Sequence, residues 1–162
     1  MTWQLVYRQQ RSVPFPPEET VGRSGTFLYC HGALTAWKWR KLLWARLGWR
    51  DLVKLFTPNR AYACVVADGR IASECFVTRS RCRHYPVERG AAVLGPVWTA
   101  PELRGQGLAT LLIRYTMNVL ITQGCHIFYV DTSDRNVAMQ KVIARCGFGE
   151  PIRRFEKTGP IE

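Results

Sequence analysis

The chain has 162 residues, 47% hydrophobic and 22% charged, which suits one globular domain with a sizeable core and excludes a disordered chain. No apolar run reaches the roughly 20 residues that span a bilayer, and Met1-Thr-Trp-Gln-Leu-Val-Tyr-Arg8 lacks the charged-then-apolar layout of a secretory leader, so a cytoplasmic location is expected. The net charge of +11 favours an anionic partner or surface, or equally a basic face that only meets water.

In chain order, Thr2 to Arg8 reads as a short strand, and Val13-Pro-Phe-Pro-Pro17 with Glu18 and Glu19 breaks any regular element, leaving a turn-rich connection. Leu42 to Phe56 fits helical spacing. Leu42, Ala45, Trp49, Leu52, Val53 and Phe56 fall on one side of the wheel, and Arg46, Arg50 and Lys54 on the other. Two β-branched runs follow, Ala61 to Ala67 and Ile71 to Thr78, and Asp68-Gly69 between them predicts a hairpin. After a basic loop, Arg79 to Arg89, an apolar strand runs from Ala91 to Thr99. Gly95-Pro96 within it predicts a bulge or splay, since proline cannot donate to a ladder.

Gly107 to Thr122 reads as a helix with Leu108, Leu111, Leu112, Tyr115 and Val119 on its apolar face and Gly124 as its stop. His126 to Val130 is a compact buried strand. Asp134 is the expected N-cap of a second helix, with Ala138, Met139, Val142, Ile143 and Cys146 as its stripe and Gly147 at its end. The tail to Glu162 returns as a last strand. Strand, helix, strand in this half implies a crossover with neighbouring parallel strands. The six cysteines form no C-x-x-C pair, and His31, His84 and His126 have no thiol pair at zinc-site spacing, so no metal site is expected.

The chemistry concentrates in Thr99-Ala-Pro-Glu-Leu-Arg-Gly-Gln-Gly-Leu-Ala-Thr110, where a strand enters a glycine-bearing turn that opens a helix. Gly105 and Gly107 permit positive φ and close approach, and the first-turn N–H groups from Gln106 to Ala109 lack intrahelical acceptors. With the positive end of the helix dipole and Arg104, those donors suit a pyrophosphate. An ordinary strand-to-helix turn also uses glycine, so the motif alone leaves both readings open.

The stretch resembles the acyl-coenzyme A-binding motif of the GNAT superfamily of acetyltransferases, Arg/Gln-x-x-Gly-x-Gly/Ala, with Arg104, Gly107 and Ala109 at its fixed positions. Asn136 to Gly147-Phe148 also matches the superfamily's later helix, which begins with Asn and ends in Gly-Phe. The resemblance covers Val93 to Phe148 well, the Asp68-Gly69 hairpin loosely, and the segment before residue 60 weakly. It implies an α/β (α+β) fold, a mixed central sheet flanked by helices with a bulged, splayed strand before the pyrophosphate loop. It also implies a single domain over 1–162, with 1–60 as a variable acceptor-side segment and 61–150 as the cofactor-binding core.

Acetyl-coenzyme A is the implied cosubstrate. Main-chain groups of Val97, Trp98 and Thr99 would pair with its pantetheine arm, and Arg104, Gly105, Gln106, Gly107, Leu108, Ala109, Thr110 and Asn136 would complete the cofactor site. The implied reaction is direct transfer, with a backbone N–H near Val97 or Trp98 supporting the oxyanion. The family's usual carboxylate and tyrosine are missing: Gly95 and Pro96 stand where the first falls and Ile143 where the second does. Glu74 is the best remaining base, with Cys146 as a candidate proton donor and His84 in the basic loop as a third group. Each has a plainer alternative, a solvent-facing strand residue, a core thiol and a solvated loop residue respectively.

Acceptor choice is expected from the segment before residue 60 and from Arg79 to Arg89. A small-molecule amine or hydroxyl is favoured, an amino sugar or nucleotide-linked sugar first. A protein N-terminus, a ribosomal protein or an antibiotic is the enzyme alternative. The competing class is a binding module, in which Trp37-Lys-Trp-Arg-Lys-Leu-Leu-Trp44 and its continuation to residue 56 lie on an anionic membrane. The plainer reading packs the Trp/Leu face on the sheet. Nucleic acid is not expected, because neither an RNA-recognition signature nor a helix-turn-helix pattern is present.

Overall fold

The computed structural model describes residues 2–16 and 25–156. Among the described residues, seven strands form one mixed sheet and five helices cover its two faces. In chain order they are β1 (Trp3–Gln10), β2 (Thr26–His31), α1 (Ala33–Lys38), α2 (Arg40–Arg46), α3 (Trp49–Lys54), β3 (Arg60–Ala67), β4 (Arg70–Arg79), β5 (Ala92–Thr99), α4 (Leu108–Thr122), β6 (Ile127–Ser133), α5 (Val137–Arg145) and β7 (Arg153–Glu156). The sheet order is β2-β3-β4-β5-β6-β1-β7, and β5 with β6 is a parallel pair. The expected last strand is β7, while residues 157–162 and Pro17, Glu18 and Glu19 lie outside the described residues.

Alternation along each strand builds three apolar clusters. On one face, Ala63 and Val65 of β3, Val77 of β4, Leu94 of β5 and Phe128 and Val130 of β6 pack under α4 and α5. On the opposite face, Tyr62 and Cys64 of β3 meet Leu43, Leu52 and Leu55 of the α1–α3 layer. Further along that face, Tyr85 from the basic loop packs on Val93, Tyr129 and Val6. The Asp68-Gly69 hairpin is as expected: both residues have positive φ (50° and 71°), the two-residue turn that matches strand twist.

Four expectations change. The predicted turn-rich connection contains the edge strand β2, whose Thr-Phe-Leu-Tyr-Cys run is strand-like and is flanked by Gly25 and Gly32. The predicted helix from Leu42 to Phe56 is broken, because Leu47 is extended and Gly48 caps a new helix. Its buried residues are Leu43, Leu47, Leu52 and Leu55, and Trp49, Val53 and Phe56 point outward. In α4 the buried set shifts to Leu112, Ile113, Thr116, Met117 and Leu120, leaving Leu111, Tyr115 and Val119 half-buried, because α4 lies across four strands and also carries α5. The N-cap of α5 is Asn136, whose Oδ1 accepts from Met139 N–H at 3.1 Å, so Ala138 is exposed. Asp134 instead accepts from the Trp3 N–H at 3.1 Å and ties β6 to β1.

The cysteine side chains among the described residues are free thiols, and five are buried. Burial pushes Cys30 from the ordinary 9.0 to about 11, and Cys64, Cys75 and Cys146 to about 12. In the unfolded chain these thiols ionise near 9, while in the fold they keep their protons. Their contribution is therefore fully present below pH 9 and is lost as pH rises from 9 towards 12. The midpoint of urea unfolding is expected to fall steadily between pH 9 and pH 11, and a flat midpoint would refute this.

Candidate active site

The site begins where β5 leaves β6. Ala92, Val93 and Leu94 pair with Phe128, Tyr129 and Val130, and no further pairing joins the two strands. At that point Gly95 has φ 138° and the Gly95-Pro96 bond is cis. The β4–β5 register shifts between Cys75 and Val77, after which β5 continues along β4 with Val97 opposite Cys75, Trp98 opposite Glu74 and Thr99 opposite Ser73. β5 thus stays with one neighbour and parts from the other. Main-chain groups of Val97 to Thr99 that point away from β4 face the opened wedge.

Beyond Thr99 the chain makes a 3-10 turn at Pro101–Leu103 and enters α4 through Gly105 (φ 80°) and Gly107 (φ 81°). Arg104 folds back, its Nε donating to the Thr99 carbonyl at 3.1 Å. The helix's first bond runs from Leu111 N–H to the Gly107 carbonyl at 3.1 Å. The N–H groups of Leu108, Ala109 and Thr110 therefore precede any intrahelical acceptor, and the cap supplies no side-chain bond. A Cβ added at Gly105 or Gly107 would meet nothing within 4 Å, so the loop opens onto free space. Thr110 Oγ1 is buried with no hydrogen-bond partner among the described residues. Unpaired donors, a positive helix end and clear space together fit a diphosphate.

On the face opposite α4, a cleft of about 720 Å³ lies between α2, the β3–β4 turn and the start of the loop. Leu42, Ala45 and Arg46 form one wall, Asp68 to Ala72 another, and Trp98 with Pro101 to Leu103 the third. Glu74 sits beside it, 6% exposed. Its carboxylate accepts from Arg46 Nη2 at 2.8 Å and from the Tyr62 hydroxyl at 2.6 Å, and the Arg46 guanidinium lies 4.0 Å from the Trp98 ring centroid. Burial, and then the Glu74 charge, raise the Tyr62 hydroxyl far above the ordinary phenol value, so it stays a donor.

Glu74 and Trp98 thus come together with the loop that begins at Thr99. Arg46 and Tyr62 belong with them and are not among the site residues expected from sequence, which placed Arg46 on the basic side of a helical wheel and did not single out Tyr62. The hairpin turn carried part of this signal, since pairing outward from Asp68-Gly69 brings Tyr62 diagonal to Glu74.

The other candidates lie apart from the cleft. Cys146 is fully buried, its thiol donating to the Thr110 carbonyl at 3.7 Å within the α4–α5 core, and its neighbour one turn back, Ile143, is core as well. Burial outweighs the neighbouring Arg114 guanidinium and holds this thiol near 12, so it is a structural group. His84 is exposed in the basic loop, whose Glu88 is engaged by Arg8 at 2.8 Å and by the Tyr129 hydroxyl.

The comparisons with known proteins agree with this geometry. The sequence model of the acetyltransferase (GNAT) family matches residues 29–148. No curated protein matches the chain in sequence. Among solved structures, the aminoglycoside N-acetyltransferase AAC(6')-Iy in complex with coenzyme A is similar at TM-score 0.61 and 21% identity, over 84% of this chain and 100% of that one. A putative GNAT acetyltransferase from Novosphingobium aromaticivorans is similar at TM-score 0.56 and 22% identity, over 95% of this chain and 63% of that one. The aminoglycoside 6'-N-acetyltransferase AAC(6')-IG from Acinetobacter haemolyticus gives TM-score 0.58 and 16% identity, over 85% and 99%. At these identities the structures establish a shared fold, and the family match spans most of the chain, splayed strand and loop included. The chain belongs to the GNAT family of acetyltransferases and is an N-acetyltransferase that uses acetyl-coenzyme A.

Proposed function

We propose that this enzyme acetylates the amine of a small molecule, an amino sugar or nucleotide-linked amino sugar, by direct transfer with Glu74 as the base. The observation that carries this reading is the meeting of the Val97–Thr99 wedge with a cleft beside which the buried carboxylate of Glu74, paired opposite Trp98, is held by the cleft residue Arg46. Acetyl-coenzyme A, when bound, supplies the thioester that the amine attacks. Main-chain groups of Val97, Trp98 and Thr99 orient the pantetheine arm and offer an N–H to the developing oxyanion. Gly105, Gln106, Gly107, Leu108, Ala109 and Thr110 hold the diphosphate with their N–H groups, Arg104 adds its charge, and Asn136 borders the same end of the sheet.

Glu74 takes the proton of the acceptor amine, directly or through one water. Arg46 and Tyr62 fix its carboxylate from two sides and limit its rotation. No dedicated acid is assigned to the departing thiolate, because thiols titrate near ~8.5 and leave tolerably unaided. Residues 61–150 form the proposed cofactor core. Of the proposed acceptor-side segment 1–60, α2 lines the cleft while β1 lies on the far half of the sheet. The free thiols fit the proposed cytoplasmic placement.

The likeness to aminoglycoside N-acetyltransferases supports this acceptor class, since aminoglycosides are amino sugars. The cleft, walled on three sides, suits a compact acceptor better than an extended peptide. Thiol release from acetyl-coenzyme A is expected with amino sugars or their nucleotide-linked forms in a panel that also contains peptides with free N-termini. Turnover confined to the peptides would overturn the assignment.

A further inference from the structure

The helical layer displays a surface that acetyl transfer does not use. In α1 and α2, Ala36 and Leu43 face the sheet, while Trp37 and Trp44, seven residues apart on the outer flank, are 65% and 68% exposed. Leu34 continues that flank at 88%. Along α3 and the turn that follows it, Leu52 and Leu55 pack inward, and Trp49, Val53 and Phe56 form a second outward stripe at i, i+4 and i+7. Six of the nine exposed large hydrophobics among the described residues belong to this one layer, which sets it apart from scattered single exposures.

Cations surround the rings. Lys38, Arg40, Lys41, Arg50 and Lys54 are exposed here, and Asp51, the only acid between residues 33 and 56, is paired to Lys54 at 2.7 Å. The Arg40 guanidinium lies 4.5 Å from the Trp37 ring centroid and that of Arg50 5.6 Å from the Trp49 ring centroid. Indole rings with neighbouring guanidinium and ammonium groups match the boundary of an anionic bilayer, where the rings enter the acyl edge and the cations meet lipid phosphates. Nucleic acid would leave Leu34 and Val53 without a use, and a second copy would bring the same +11 charge against this face. No described helix is long and apolar enough to cross a membrane, so the contact is peripheral.

We infer that the α1–α3 layer docks the enzyme on an anionic bilayer surface, with Trp37, Trp44 and Trp49 in the headgroup boundary and the flanking lysines and arginines on lipid phosphates. The other flank of α2 lines the acceptor cleft through Leu42, Ala45 and Arg46, so the docked enzyme holds that cleft beside the headgroups. The inference goes beyond acetyl transfer and stands without it.

The test uses the full chain with phosphatidylcholine vesicles, with and without phosphatidylglycerol, at low and at physiological salt. Co-sedimentation is expected only with the anionic vesicles and weakens with salt. Tryptophan emission shifts to the blue and is quenched by brominated lipid. The combined variant Trp37→Ser, Trp44→Ser, Trp49→Ser is expected to bind at least about tenfold more weakly, with unchanged affinity for acetyl-coenzyme A. No co-sedimentation at low salt, unshifted emission, or equal binding by the variant would overturn the inference. So would a dimer that the variant abolishes in the absence of vesicle binding, or tighter binding to an RNA oligomer than to vesicles. Acetyl-coenzyme A calorimetry on the same samples reads the cosubstrate affinity separately.

Discussion

Gly107→Trp is expected to lower the affinity for acetyl-coenzyme A by at least about 100-fold, or ~2.7 kcal/mol, while the sheet stays folded. Gly107 has φ 81° at the cap of α4, a conformation that costs a side-chain-bearing residue roughly 1–2 kcal/mol. Its missing Cβ points into open space rather than into protein, so the indole would occupy the approach to the Leu108–Thr110 N–H groups instead of the core. Titration calorimetry reads the affinity, and far-ultraviolet circular dichroism checks the fold. Gly107→Ala keeps the strain and removes most of the obstruction, so it should fall between parent and Trp variant. Equal affinity across the three proteins would mean that the loop does not hold the diphosphate.

Glu74→Gln is expected to reduce kcat/KM by roughly 10²- to 10⁴-fold, the usual worth of a positioned base, with acetyl-coenzyme A affinity unchanged. The substitution preserves shape and leaves an oxygen that accepts from Tyr62 or Arg46, so it removes proton-accepting capacity more than structure. Tyr62→Phe serves as the structural comparison. It deletes one donor to the carboxylate, with a stability cost of about 1 kcal/mol, and should slow turnover much less. Normal turnover by Glu74→Gln would assign the base elsewhere.

Much of this architecture is legible in the residues. Asp68-Gly69 fixed the hairpin, Gly95-Pro96 marked where β5 parts from β6, and the two loop glycines placed the start of α4, because each requires a backbone conformation that few other residues accept. The helical layer was less readable. Leu42 to Phe56 has good helical periodicity, and one glycine, Gly48, re-phases it so that the apolar wheel faces outward in its second half. Periodicity shows that a stripe exists and leaves open which way tertiary packing turns it. The Arg46–Glu74–Tyr62 cluster was hidden for a related reason. It joins a helix to two strands, and no local pattern reports that an arginine on a basic face folds over an indole 52 residues later.

The place of β1 in the sheet has a consequence for synthesis. Trp3–Gln10 is made before the other six strands, yet its partners β6 and β7 are made after β2 to β5, and among the described strands β7 pairs only with β1. Throughout translation this strand waits with an open edge while β2 to β5 gather under α4. The half-sheet β6-β1-β7 closes only once β6 and β7 have been made, and its closure depends on contacts between distant parts of the sequence. The N-terminal strand therefore acts as the molecule's closing seam, and a fusion or tag that burdens residues 3–10 would cost the order of β7 as well.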